Sequence, residues 1–266
     1  MNIPIESFAK LNRAPVDYED ENGLLHCGRC HAPKQIRVDG IDQIVPVTCQ
    51  CVETEISKQK DEVRKKRVEK LRLRCLPVAA MRERTFSVAG EDRHIQIARR
   101  YVEKWQHVSA ENIGLLLWGN TGTGKSFTAQ CVANALIDCE IAVRYISAVE
   151  LVSSLMDKEK REQVMLDVIR IPLFIIDDVG AERDTPFSRE QICAVIDARN
   201  EAKKPLIVTT NITLEEMKTC TDPVLCRLYD RLQECCVPVA VTGESRRGEA
   251  AAEKMKRAKE LLYDYM

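Results

Sequence analysis

Residues 119 to 126 read Gly-Asn-Thr-Gly-Thr-Gly-Lys-Ser, a complete G-x-x-x-x-G-K-S loop. Each part has a job around a nucleoside triphosphate. Gly119, Gly122 and Gly124 let the backbone curl, so that its N–H groups, with those of Asn120, Thr121 and Thr123 between them, converge on phosphate oxygens. Lys125 can reach the β- and γ-phosphates, and the Ser126 hydroxyl can ligate Mg²⁺. The flanks fit. Ile113–Trp118 is a buried-strand run, and a helix-compatible run begins at Phe127 and continues to Leu136, which sets a helix N-terminus under the phosphates. A glycine-rich surface turn would need neither the Lys-Ser ending nor these flanks.

A second signal is Ile171-Pro-Leu-Phe-Ile-Ile-Asp-Asp-Val179, a strand of bulky apolar residues that ends in two carboxylates. In a phosphate-loop sheet the strand beside the loop strand ends near the phosphates, where Asp177 would hold Mg²⁺, directly or through water, and Asp178 would polarise an attacking water. Ser188-Arg-Glu-Gln191 reads as a capping box that opens a helix through about Lys203. Pro205-Leu-Ile-Val-Thr-Thr-Asn211 is another buried strand, and Asn211 could hydrogen-bond the water or the γ-phosphate, or simply turn the chain. Further on stand Arg227 and Arg231 in a helix-compatible stretch, and Arg246-Arg247 after the strand-like Val237–Val241. Arginine stabilises charge on a transferring phosphoryl group, in cis or from a neighbouring subunit, and is equally common as a surface ion-pair partner.

The chain carries 12 cysteines. Cys27-Gly-Arg-Cys30 and Cys49-Gln-Cys51 form two close pairs that can offer four thiolates to one tetrahedral Zn²⁺. Gly28 relaxes the first knuckle, and Gln35–Val38 and Gln43–Val47 flank Asp39-Gly40 as a short hairpin that would bring the pairs together. His26 and His31 adjoin the first pair and could replace a cysteine. Cys75, Cys131, Cys139, Cys193, Cys220, Cys226, Cys235 and Cys236 are scattered and read as small buried hydrophobes. Residues 58 to 74 are locally basic and helix-compatible, suited to a nucleic-acid backbone, to an acidic partner, or to solvent alone.

Around these residues the pattern is organised in three regions: a zinc-binding segment 1–52, a basic helical linker 53–75, and from residue 76 to 266 apolar strands alternating with amphipathic helices, the α/β pattern of a parallel sheet. The last stretch, Glu249–Met266, reads as one helix with Met255, Ala258, Leu261, Leu262 and Tyr265 on an apolar face. With 266 residues, 45% hydrophobic and 30% charged, and a net charge of −1, the chain is a soluble one, with no overall charge bias toward nucleic acid. It shows no membrane span and no signal-peptide pattern, so a cytoplasmic location is expected.

Together the loop, Ile-Ile-Asp-Asp-Val-Gly-Ala-Glu182, Val-Thr-Thr-Asn211 and Arg-Leu-Tyr-Asp-Arg231 resemble the DnaC/DnaI-type bacterial helicase loaders, a group of AAA+ ATPases with the transposition helper IstB as a close relative. The resemblance spans roughly residues 76 to 250, and the cysteine cluster is similar to the zinc-binding domain of DnaI-type loaders. It implies a five-stranded parallel sheet with a small C-terminal lid. It implies ATP and Mg²⁺, with Lys125 and Ser126 as Walker A, Asp177 and Asp178 as Walker B, and Asn211 as sensor 1. Arg231 would be an arginine finger acting on the next subunit's ATP, with Arg227 sharing that role, and Arg247 or Arg246 would be sensor 2. It places single-stranded-DNA contacts near Arg183–Phe187, where Phe187 would stack on a base or pack within a loop. Asp178 stands where strongly hydrolysing relatives often carry Glu, which implies slow, switch-like turnover. The expected partners are a hexameric replicative helicase, single-stranded DNA and further copies of the chain, with no membrane. The competing readings are an IstB-like helper on duplex DNA and a zinc-containing nucleotide-binding adaptor without turnover. A small-molecule kinase is disfavoured by the Thr-Thr-Asn strand and the paired arginines.

Overall fold

Alternate residues of each central strand enter opposite cores, and that fixes the architecture. The computed structural model describes residues 14, 16–38, 43–183, 185–243 and 245–263, with the backbone path alone for 246–251. Strands β5 (Gly114–Trp118), β6 (Val143–Ser147), β7 (Leu173–Val179), β8 (Leu206–Thr210) and β9 (Cys236–Ala240) form one parallel sheet in the order β6-β7-β8-β5-β9. Leu116, Phe174, Ile176 and Val208 face one apolar cluster, while Leu115, Leu117, Ile175 and Ile207 face the other. A strand covered on both faces reads as an unbroken apolar run, as these do.

Helices α6 (Ala148–Met156), α7 (Lys158–Arg170), α8 (Pro186–Glu201), α9 (Leu214–Thr219) and α10 (Pro223–Cys235) come between β6 and β9 along the chain, and residues from each pack into the first cluster. The second cluster takes Cys75 from the end of α1 (Gln50–Cys75), Met81 from α2 (Ala79–Arg82), and residues of α3 (Arg93–Glu103), α4 (Trp105–Ala110) and α5 (Lys125–Asp138). At the lower end of the sheet Arg199 is fully buried, and its guanidinium donates five hydrogen bonds to the carbonyls of Val168, Ile171, Pro172 and Pro205. Burial pulls that group down to about 9, so it remains a cation at neutral pH, tying the α7–β7 and α8–β8 connections together.

The chain divides into two compact units, Met1–Arg67 and Val68–Met266. In the first, β1 (Tyr18–Glu19) pairs with β2 (Leu25–His26), and β3 (Gln35–Val38) pairs antiparallel with β4 (Gln43–Pro46). The expected hairpin is thus present, while its Asp39-Gly40 turn lies outside the described residues. The helix expected from residue 53 starts at Gln50, and residues 53–67 along it are exposed.

Two boundaries depart from expectation. The helix assigned to a Ser188 capping box opens earlier: Thr185 is the N-cap, its hydroxyl accepts from the Ser188 N–H, and Pro186 occupies the first turn. Proline is pre-organised there, and the missing N–H costs nothing. A complete capping box stands instead at Thr213 and Glu216, opening α9. The final helix, α11 (Arg246–Tyr263), begins three residues before the expected Glu249; its Met255, Leu261 and Leu262 are exposed, and Tyr265 lies outside the described residues. Among the scattered cysteines, Cys139 is exposed and Cys220 and Cys226 are half-buried; the other five are buried as expected.

Candidate functional site

The glycine-rich loop sits at the carboxyl end of β5, between β8 and β9, where strand order reverses and α/β sheets open a crevice. Gly122 and Gly124 take φ of 88° and 107°, and no atom lies within 4 Å of where a Cβ on Gly124 would stand. The loop therefore turns its backbone toward open space at the start of α5, whose free N–H groups and dipole favour anions. Thr123 is buried and its hydroxyl donates to the Asn120 carbonyl at 2.9 Å, bracing the loop from within. Lys125 is buried too, and its ammonium donates to the carbonyls of Gly119 at 2.8 Å and Asn120 at 2.7 Å.

A pocket of about 350 Å³ opens over the loop, lined by Thr121, Gly122, Gly124, Lys125, Ser126 and Phe127 together with Asp178 and Asn211. Three strands thus contribute to one site: β5 through the loop, β7 through Asp178, and β8 through Asn211, whose Nδ2 donates to Asp178 Oδ1 at 3.0 Å. The register between β7 and β8 shifts between Ile176 and Val179, and Asp178 stands at φ 62° in the left-handed region. Asp and Asn tolerate that region better than most residues. Converging N–H groups, a primary ammonium, a hydroxyl and a carboxylate make a donor set that fits a triphosphate with Mg²⁺.

Asp177 lies outside the lining of that pocket. Its Oδ1 accepts from the Thr209 hydroxyl at 2.6 Å, and burial first, then the charge of Asp177, push the nearby Tyr145 hydroxyl up. It could reach a metal through water. Arg227 and Arg231 do not line the pocket either. Both pair with Asp197 of α8, Arg227 at 3.2 Å and Arg231 at 3.1 Å, and Arg231 also pairs with Glu234. The side chains of Arg246 and Arg247 lie outside the described residues, but Ser245 just before them packs against Gly122. Phe187 is exposed in the first turn of α8, beside the exposed Arg183; Asp184 lies outside the described residues.

Sequence reasoning missed Arg84 and Val88, which also line the pocket. The Asn134 amide holds their segment by donating to the carbonyls of Met81 and Arg84, and Arg84 Nη1 donates to Gln130 Oε1 at 2.6 Å. The signal for this was Gln130 and Asn134, two polar residues one turn apart within an apolar helix run.

In the first unit the Sγ atoms of Cys27, Cys30, Cys49 and Cys51 all lie within 4.8 Å of one another. A tetrahedral zinc with Zn–S of about 2.3 Å spaces its sulfurs about 3.8 Å apart, so the cluster fits the ion with small adjustments. The Ala32 N–H and the Cys51 side chain pull the Cys30 thiol down to about 6, whereas Cys30 pushes Cys51 up to about 11. Four thiolates this close compete for charge, and a divalent cation resolves that competition. The histidines are engaged elsewhere: His26 with Asp20 at 3.2 Å and with the His31 carbonyl, His31 with the Tyr18 hydroxyl. Gly28 serves by its size rather than its freedom, because a Cβ there would stand 1.8 Å from the Val16 carbonyl oxygen. Beneath the knuckle, burial would push the Asp17 carboxyl up, but the buried Lys34 ammonium at 2.5 Å and the N–H groups of Ala14 and Gly28 outweigh it and hold it low.

A phosphate loop ending β5, a carboxylate from β7, which β8 separates from β5 although the two were expected side by side, and an asparagine from β8 define a P-loop nucleotide-binding domain. The chain belongs to the family of IstB-like ATP binding proteins, whose profile matches residues 50–254. It is 28% identical over 134 residues to the replicative helicase loader DnaC of Escherichia coli K12, covering 48% of this chain and 53% of that protein. It is 28% identical over 148 residues to the replicative helicase loader DnaI of Bacillus subtilis 168, covering 50% and 47%. The chain thus spans about half the length of the curated relatives it matches. A crystal structure of DnaI shares the fold with a TM-score of 0.55 at 20% identity, over 64% of this chain and 93% of that one. The resemblance read from the motifs is borne out, as is the five-stranded parallel sheet. Among the described residues no helix is long and apolar enough to cross a membrane.

Proposed function

We propose that this protein is an ATP-hydrolysing switch that loads a hexameric replicative DNA helicase onto single-stranded DNA. The observation that carries the reading is the convergence of Lys125, Ser126, Asp178 and Asn211 on one pocket, in a chain related to proteins named as replicative helicase loaders. Lys125 and the loop hold the phosphates, Ser126 and Asp177 serve Mg²⁺, and Asp178 with Asn211 orients the attacking water. Arg231, with Arg227 beside it, acts on the ATP of a neighbouring subunit; its absence from its own pocket supports that assignment. The carboxylate of Asp178 is shorter than a glutamate's, which suits slow turnover stimulated by DNA or helicase. The cysteine cluster holds zinc and makes the first unit a docking module for the helicase.

The test is capture of purified hexameric replicative helicase, with and without ATP and with and without a zinc chelator, alongside hydrolysis with single-stranded and duplex DNA. Nucleotide-dependent capture lost on chelation, with hydrolysis raised by single-stranded DNA, is the expected result. Filaments on duplex DNA without helicase capture would favour a transposition helper, the reading that the IstB-like family name supports. Capture without any hydrolysis would favour an adaptor.

A further inference from the structure

We infer that Thr209 and Tyr145 are positioning residues that set the two acids of the ATP site, with Thr209 serving as the acceptor that the broken strand ladder withholds. The inference rests on the reading that Asp177 and Asp178 serve the metal and the water. The Thr209 hydroxyl is fully buried in β8 and used twice: it donates to Asp177 Oδ1 at 2.6 Å and accepts from the Asp178 N–H at 2.8 Å. That N–H needs a side-chain acceptor because the β7–β8 pairing slips between Ile176 and Val179. The next residue repeats the device, the Thr210 hydroxyl donating to the Val179 carbonyl at 2.7 Å. The slip turns Asp178 to φ 62° and into the pocket, so the hydroxyl that stabilises the slip also fixes the aim of Asp178 while holding Asp177 beside it.

Tyr145 approaches Asp177 from the next strand, level with Ile175. Its hydroxyl lies within electrostatic reach of the Asp177 carboxylate and accepts from Gln130 Nε2 at 2.8 Å, and Gln130 is bonded in turn to Arg84 at the pocket wall. Asp177 is thus bonded by one buried hydroxyl and stands beside a second, and Tyr145 leads through Gln130 to the far side of the pocket. Outer partners of this kind fix the orientation of a ligating carboxylate.

The test is ATP affinity by equilibrium binding, with Mg²⁺ titrated from zero, on Thr209→Val, Thr209→Ser, Tyr145→Phe and Asp177→Asn, each checked by thermal melting. Thr209→Val and Tyr145→Phe are expected to raise the Mg²⁺ concentration that half-saturates the enhancement of ATP binding by about tenfold or more. ATP affinity without Mg²⁺ should stay within about twofold, and Thr209→Ser should recover the parental Mg²⁺ dependence. Tyr145→Phe carries the test should Thr209→Val fail to fold. An unchanged Mg²⁺ dependence in the folded variants, with Asp177→Asn abolishing it, overturns the positioning inference alone. A Thr209→Ser that fails to recover does the same for Thr209, since packing and not the hydroxyl would be at stake. An unchanged Mg²⁺ dependence in Asp177→Asn overturns the reading of the acids and this inference with it.

Discussion

Asp178 combines a left-handed backbone, a carboxylate inside the pocket and a hydrogen bond from Asn211, and each follows from one slipped strand pairing. With Asp178→Asn the shape and the Asn211 neighbour are retained while the basicity is lost. ATP binding should stay within about threefold, and phosphate release should fall by about 100-fold or more. A loss under tenfold would mean that another group handles the water. The phosphate loop and the paired acids were legible in the sequence because the chemistry demands their types and spacing. Thr209 was not: threonine is an ordinary strand former, and only the slip in pairing turns its hydroxyl from filler into a fitting. Tyr145 was hidden because its place beside Asp177 exists only between strands that meet in space, whereas Gln130 had left a trace as a polar residue in an apolar helix run.

The strands were easiest to read, because burial on both faces leaves apolar runs with abrupt polar ends; helix starts were harder. Ser188-Arg-Glu-Gln191 has capping-box spelling, yet Ser188 is buried in the first turn behind Thr185 and Pro186. Spelling alone cannot show which of two nearby hydroxyls has the extended backbone that a cap requires. The cap that matters most for function opens α10, which carries Arg227 and Arg231. There the Asp222 carboxylate accepts from the N–H groups of Val224 and Leu225 and pairs with Arg189 at 2.6 Å. Above all the Leu225 N–H, then the Arg189 cation, hold this carboxyl below the ordinary 3.8. An acid whose folded value is depressed contributes its stability above its unfolded value and loses it as pH falls through the folded one. Asp222→Ala should therefore melt about 3 °C lower at pH 7. The two proteins should converge in melting temperature as the pH drops below about 3.8, the unfolded value that bounds the window. A constant gap across that range would show that the cap is not what the substitution removed.

The molecule as a whole has two units with separate chemistries: a small one whose described core centres on four sulfurs, and a larger one that holds the phosphate loop. The arginine pair of the larger unit is committed to Asp197 and contributes nothing to the pocket lining. If the site is completed by a neighbour, Arg231→Ala should bind ATP normally and hydrolyse none, while Lys125→Ala should fail to bind it. Mixing the two inactive proteins in equal amounts should then restore about a quarter of the parental rate, the share of junctions that inherit both intact partners. No recovery on mixing would place the arginine's action within its own subunit. The cysteine spacing pointed to a small segment ending near residue 52, and the division at Arg67 was not legible, since α1 runs through it with no Gly or Pro to mark the place.

The seat of Ser245 against Gly122 has a consequence of its own. A side chain at position 122 would collide with the Ser245 hydroxyl at 2.2 Å, so the phosphate loop and the residue before α11 are packed directly together. A loop displaced by arriving phosphate would therefore press on Ser245 and the start of the last helix without crossing the sheet. A fluorophore placed at the exposed Leu262 would then act as a dial, its signal following ATP arrival and departure far from any residue that touches phosphate.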